Sequence, residues 1–118
     1  MYEYFVTVVD VHDGDTLTVD IDLGFRTWMR YNVRLHGLNC IELKDPGGQE
    51  AKMHLLSIAP PGRQLVLKSV AWDKFGGRIQ GSLFTPQGIS VTDTMIEEGF
   101  AAAWDGQGKK PTPVWPKP

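Results

Sequence analysis

Tyr4-Phe5-Val6-Thr7-Val8-Val9-Asp10-Val11 runs into His12-Asp13-Gly14-Asp15 and then Thr16-Leu17-Thr18-Val19-Asp20-Ile21. Both arms are rich in β-branched and aromatic residues and alternate with period two, so they read as two strands around a turn. In the second arm Leu17, Val19 and Ile21 share one face, and Thr16, Thr18 and Asp20 share the other. Gly14 is expected to supply the left-handed conformation of a tight hairpin. Asp22-Leu23-Gly24 makes a further turn, and residues 26–38 hold a third strand with Trp28, Tyr31, Val33 and Leu35 as its packing residues. Three meandering strands set the architecture.

Beyond them, Asp45-Pro46-Gly47-Gly48 breaks the chain ahead of a short helix over residues 49–58. Ala51, Leu55, Ile58 and Ala59 recur there at helical spacing, and Pro60-Pro61 stops it. Residues 64–70 and 78–84 read as fourth and fifth strands, separated by a loop over residues 73–77. Ser90-Val91-Thr92-Asp93 resembles a capping box and opens a second helix, which ends at Gly99. Residues 105–118 are rich in Gly, Lys and Pro and are expected to form an extended tail without its own core. The single domain therefore covers residues 1–104. Mainly β with short helices, it fits a five-stranded Greek-key barrel of the OB type. An SH3-like barrel or an open α+β sheet would leave a similar pattern.

The 118 residues are 42% hydrophobic and 22% charged, ordinary material for one domain with a modest core. No apolar run approaches the roughly 18 residues of a membrane span. The start of the chain lacks the features of a signal peptide, so an intracellular, cytoplasmic protein is expected. One cysteine excludes an internal disulfide and a Cys-rich zinc site. A net charge of −2 means that any polyanion must be held by a local cluster of Arg and Lys.

Such a cluster is suggested by three separated stretches. Arg34-Leu35-His36-Gly37-Leu38-Asn39-Cys40-Ile41-Glu42 carries a guanidinium at one end and a carboxylate at the other, with residues 39–42 expected to turn off the end of the third strand. Asp13-Gly14-Asp15-Thr16 lies upstream and Asp73-Lys74-Phe75-Gly76-Gly77-Arg78 downstream. Arginine suits phosphate because its planar fork pairs with two oxygens and stays charged. A carboxylate can orient a water or take its proton. Each motif alone has a plainer reading as a turn, a solvated loop or a surface charge; together they suit phosphodiester hydrolysis. His12, His36 and His54 lack metal-ligand spacing, and no partner identifies Cys40 as a nucleophile. Trp104 suits either a stacked base or a plug at the barrel end. Lys109, Lys110 and Lys117 could add phosphate contacts, but three lysines in a tail read more simply as solubilising charges.

In their order and spacing, Val9-Asp10-Val11-His12-Asp13-Gly14-Asp15-Thr16, Arg34-Leu35, Glu42, Gly48-Gln49-Glu50-Ala51, the 73–78 stretch and Glu97-Glu98-Gly99-Phe100-Ala101 resemble the thermonuclease family of staphylococcal-nuclease-like domains. The resemblance spans most of residues 5–104. It implies an OB-type barrel that cleaves DNA and RNA with Ca²⁺. Arg34 and Arg78 would hold the scissile phosphate, and Glu42 would activate or position the water. Asp15, Asn39 and the Cys40 carbonyl would ligate the metal, and Lys74 would meet a neighbouring phosphate. The chain departs from the family pattern at Asn39 (for an aspartate), Cys40 (for a threonine), Ile41 (for a proline) and Phe75 (for a tyrosine). Gly77 is an added residue before Arg78, and the tail lacks a third helix. A monomer acting on nucleic acid, away from membranes, is the expectation. A non-catalytic nucleic-acid-binding module on the same barrel is the alternative.

Overall fold

The computed structural model describes residues 3–73 and 78–117, with residues 69, 70, 72 and 73 described by their backbone alone. Nine elements follow in order. They are β1 (Glu3–Val11), β2 (Thr16–Asp22), β3 (Trp28–Leu35), β4 (Leu38–Cys40), α1 (Gly48–Ile58), β5 (Gln64–Asp73), β6 (Arg78–Phe84), α2 (Val91–Glu97) and β7 (Ala101–Ala103). Five of the strands close a barrel in the order β1-β2-β3-β6-β5. Every barrel pairing is antiparallel except β3 with β6, which is parallel. The protein is thus mainly β, with two short helices and a closed five-stranded OB-type barrel. No helix among the described residues is long and apolar enough to cross a membrane.

The barrel follows from the alternation. Leu17, Val19, Val33, Leu35, Leu65, Leu67 and Leu83 are all 0% exposed, filling the interior from alternate positions of four strands. α1 adds Ala51 and Leu55, and α2 adds Val91 and Met95, to the same core. β1 changes register between Val8 and Asp10, and β5 between Ser69 and Ala71. Such bulges bend strands and help a small barrel to close.

Four sequence expectations change. Trp28 is 50% exposed, because the β2–β3 hairpin runs past the end of the barrel, and only Val33 and Leu35 of β3 reach full burial. Residues 39–42 do not simply turn away: Leu38–Cys40 forms a strand of its own, paired with Ala101–Ala103. Asp73 belongs to the end of β5 rather than to the following loop. Gly14 has no positive φ. It is required by close approach, since a Cβ there would lie 2.2 Å from Cys40 Sγ and 3.0 Å from Ala51 Cβ.

Residues 105–117 hold no helix or strand but lie back on the barrel side. Trp115 stacks on Phe100 with ring centroids 5.0 Å apart. It also covers Gly47, where a Cβ would meet the indole at 2.6 Å. Asn39 Nδ2 donates to the Pro111 carbonyl at 2.9 Å, and Lys117 Nζ donates to the Glu97 carbonyl.

The Gly14–Cys40 contact locks the β1–β2 turn against β4. Gly14→Ala is expected to cost about 1–3 kcal/mol by overpacking, measured by denaturant unfolding. Adding Cys40→Ala should return part of that loss, so the double variant is more stable than the sum of the singles. Strict additivity would show that the contact is not the source of the loss.

Candidate functional site

Asp15 is held by its backbone before its side chain matters. Its N–H donates to Asp13 Oδ1 at 3.0 Å, and its carbonyl accepts the Leu35 N–H at 2.8 Å. These bonds tie the β1–β2 turn to the end of β3. Thr16 faces Arg34 across the β2–β3 ladder, so the Asp15 carboxylate and the Arg34 guanidinium arrive side by side. Arg34 Nη2 lies 3.5 Å from Asp15 Oδ2, and Arg34 Nη1 donates to the Leu35 carbonyl at 3.0 Å. Both side chains are mostly covered, at 18% and 15% exposure.

The parallel β3–β6 pairing sets Arg34 beside Gln80. Arg78 lies two residues earlier on β6 and therefore shares the outward face, while Val33, Leu35 and Ile79 point into the core. The second arginine is thus brought to the first by a strand contact distant in sequence.

The remaining groups come from β4 and the loop after it. β4 is held by the run that follows α2. Ser90 caps that helix by accepting the Asp93 N–H at 3.1 Å. Its far end closes with Gly99 N–H to the Ile96 carbonyl and Phe100 N–H to the Met95 carbonyl, a Schellman pattern with Gly99 at φ 87°. The chain then enters β7, and the Phe100 carbonyl accepts both the Ile41 N–H and the Cys40 thiol. Glu42 follows. Its carbonyl accepts the Asp45 N–H at 3.0 Å, and a Cβ on Gly48 would lie 2.0 Å from that oxygen. The Glu42 backbone is therefore pressed against the start of α1, while its side chain stays 64% exposed, 3.4 Å from Lys44 Nζ.

Asp15, Arg34, Asn39, Cys40, Glu42 and Arg78 all line one cleft of about 460 Å³. Six of the expected site residues are therefore brought together. Lys74 lies outside the described residues, as do Phe75 and Gly77. Trp104 is not in this cleft but in a neighbouring one of about 460 Å³, which it lines with His36, Gln80 and Asp105 and which shares Arg34 with the first. Its ring Nε1 donates to the Gln107 carbonyl at 2.9 Å.

Charged residues outside the expected set also line the cleft, among them Asp13 and Lys110. Asp13 sits on the cleft wall beside Asp15; its spacing of two residues across a glycine was the available signal. Lys110 reaches the cleft from the tail, which no local pattern announces.

The electrostatics follow from burial. Desolvation, helped by the Asp13 carboxylate, pushes the Asp15 carboxyl up to about 6 from an ordinary 3.8, against the lowering effects of Arg34 and Thr16. Burial, with Asp15 and Asp13 adding to it, pushes the Cys40 thiol up to about 12. A thiol that remains protonated is no nucleophile, so any contribution from Cys40 comes from its backbone. The donors suited to a hard cation are oxygens: two carboxylates and one amide. Among the described residues, no group of three or more His, Cys, Asp or Glu converges as a metal cluster. The crowding of Asp13 on Asp15 is nonetheless the kind of repulsion a cation relieves. The oxygen donors are of the types that a hard divalent ion takes.

The protein matches no family model, and a search of curated proteins returns no match.

Folding favours the neutral Asp15 carboxyl, because its folded value lies above the unfolded one. That contribution is whole below pH 3.8 and is lost as the pH rises through about 6. Asparagine suffers no such loss. The stability of Asp15→Asn relative to wild type should therefore rise between pH 4 and 7, by up to about 3 kcal/mol in metal-free buffer. Urea unfolding at several pH values checks this; a difference that stays flat or falls would contradict it.

Proposed function

We propose that the protein is a calcium-dependent nuclease of the thermonuclease type, hydrolysing phosphodiester bonds of DNA, with RNA as a second candidate substrate. One observation carries the reading: two arginines, a glutamate, two aspartates and an asparagine from three stretches far apart in sequence line a single cleft. An arrangement gathered from so many places is not explained by local turn chemistry. The resemblance of the ordered motifs to thermonucleases supports the same conclusion.

The chemistry requires charge to be stabilised on the non-bridging phosphoryl oxygens while a water attacks phosphorus. Arg34, oriented by its contacts with Leu35 and Asp15, offers its remaining donors to those oxygens. Arg78 adds a second guanidinium from the neighbouring strand. Glu42, exposed at the cleft rim, orients the attacking water and accepts its proton. Ca²⁺ held by Asp15, Asn39 and the Cys40 carbonyl would add electrostatic stabilisation of the phosphoryl group and acidify water. With asparagine in place of an acid, that site carries one negative charge fewer, and weak affinity follows. Partial burial of Arg34 and Asp15 makes their interactions stronger than they would be in open water.

A second reading, a nucleic-acid-binding module without catalysis, is favoured by two specific contacts. The Asn39 amide is engaged by Pro111 and the Glu42 carboxylate is paired with Lys44.

Cleavage of labelled single-stranded DNA separates the two. Wild type should cut with millimolar Ca²⁺ and stop in EDTA, and Glu42→Gln should fall by on the order of 100-fold. Absence of cutting, with salt-sensitive binding retained, would favour the binding module. Apart from activity, Ca²⁺ should raise the wild-type Tm measurably and leave that of Asp15→Asn unchanged.

A further inference from the structure

The two clefts meet at two side chains, Arg34 and Lys110, which line both of them. Both are cations. Arg34 belongs to the barrel, whereas Lys110 comes from the segment after β7. Lys110 also borders a third cleft, of about 530 Å³, beside Glu42 and Trp115.

A lysine on a free tail would have no defined place, but this segment is attached on both sides of position 110. Before it, Trp104 N–H donates to the Gly37 carbonyl at 3.0 Å, and the Trp104–Gln107 bond closes a turn. After it, the Asn39 amide holds the Pro111 carbonyl, the residue next to Lys110. Further on, the Trp115 indole stacks on Phe100 against Gly47. Between these anchors Lys110 Nζ stands 5.7 Å from the centre of the Trp104 ring. That is close enough for a weak cation–π attraction. The acidic groups that line the clefts with Lys110 are Asp13, Asp15, Glu42, Asp45 and Asp105; Asp15 is paired with Arg34, Glu42 with Lys44, and Asp105 Oδ1 accepts the Gln107 N–H.

We infer that Lys110 binds a second phosphate of a single-stranded nucleic acid, the one next to the phosphate at Arg34, and that the docked C-terminal segment is a wall of the binding site. This rests on the phosphate-site reading above. The strand passes from the Trp104 cleft, where a base stacks on the indole, into the Arg34 cleft. Its backbone crosses the junction between the two cations. A lysine suits this place because it contributes a mobile point charge without demanding bidentate geometry. Sequence gave Lys109 and Lys110 equal standing; the Pro111 clip distinguishes them.

The test is binding of a fluorescent oligothymidylate in EDTA, followed by anisotropy from 50 to 300 mM salt. It compares wild type, Lys110→Ala, Lys109→Ala, Arg34→Ala and Trp115→Ala. Loss of one phosphate contact on a single strand makes the plot of log K against log salt shallower by about 0.7, which is about fivefold in affinity near 0.1 M salt. Lys110→Ala should show both changes, and Lys109→Ala neither. Trp115→Ala should weaken binding to a similar extent with Lys110 intact, because the wall is released. Lys110 is exposed, so its variant should fold. If wild type binds, Arg34→Ala weakens it and Lys110→Ala matches wild type in slope and affinity, the inference is overturned alone. Equal losses for Lys109→Ala and Lys110→Ala would also overturn it, as diffuse tail charge. No binding by wild type, or no effect of Arg34→Ala, would overturn the phosphate-site reading and this inference together.

Discussion

The site depends on the parallel pairing of Val33–Leu35 with Ile79–Gly81. It is the one parallel contact in the barrel, and it closes the sheet. Without it β3 and β6 would be edge strands, their inner faces would lose burial, and Arg34 and Arg78 would have no reason to be neighbours. The same closure orients the end of β3, where the Leu35 N–H holds the Asp15 carbonyl and the His36 N–H holds the Gly81 carbonyl. Core packing and placement of charge are one event here. Leu35 is fully buried, and the residue before it must then face outward.

Around that frame the site sets burial against charge. Covering Asp15 makes its ionised form unfavourable, and Asp13 aggravates this, yet the same covering strengthens the pull of Arg34. The Asp15 carboxylate, beside a second one, is met by a guanidinium at 3.5 Å and by the Thr16 hydroxyl, which donates to it at 3.1 Å. Ion pairs of this kind contribute little net folding energy, so stability alone does not account for the arrangement. The steric constraints point the same way. Gly14 and Gly48 stand where a methyl group would strike Cys40 and the Glu42 carbonyl, and both contacts fix cleft-lining segments.

The barrel was legible because alternation over seven to ten residues is a strong signal: the interior positions of β2 and the ends of β6 follow from it. The short β4–β7 pair was not. Three residues cannot show a period, and Ala101-Ala102-Ala103 has no strand preference; that ladder exists because α2 ends where it does. Trp28 read as core by its size, but a hairpin tip that overruns its barrel leaves large apolar residues in solvent. Gly14 read as a turn former by its neighbours, whereas its reason lies 26 residues away at Cys40. The site residues were legible through ordered motifs, each in its own segment. Asp13 on Asp15 and Lys44 on Glu42 are contacts within two residues of sequence, whereas the tail on Asn39, a contact across 72 residues, is what sequence did not convey.

The last of these contacts bears on the most consequential departure from the family pattern. An aspartate at position 39 would set a carboxylate oxygen against the Pro111 carbonyl, two acceptors with no proton between them. Asparagine removes the repulsion and supplies the donor, and a carbonyl partner leaves no doubt which end of the amide is nitrogen. The lower negative charge of the cleft and the docking of the C-terminal segment are therefore two results of one residue. On this account Asn39 is not a remnant of a lost acid. It gives up a negative charge in the cleft and gains the contact that holds the segment carrying Lys110 at the junction of the clefts. On the proposed function, a site built in this way would rely less on a metal and more on its own cations to hold a polyanion.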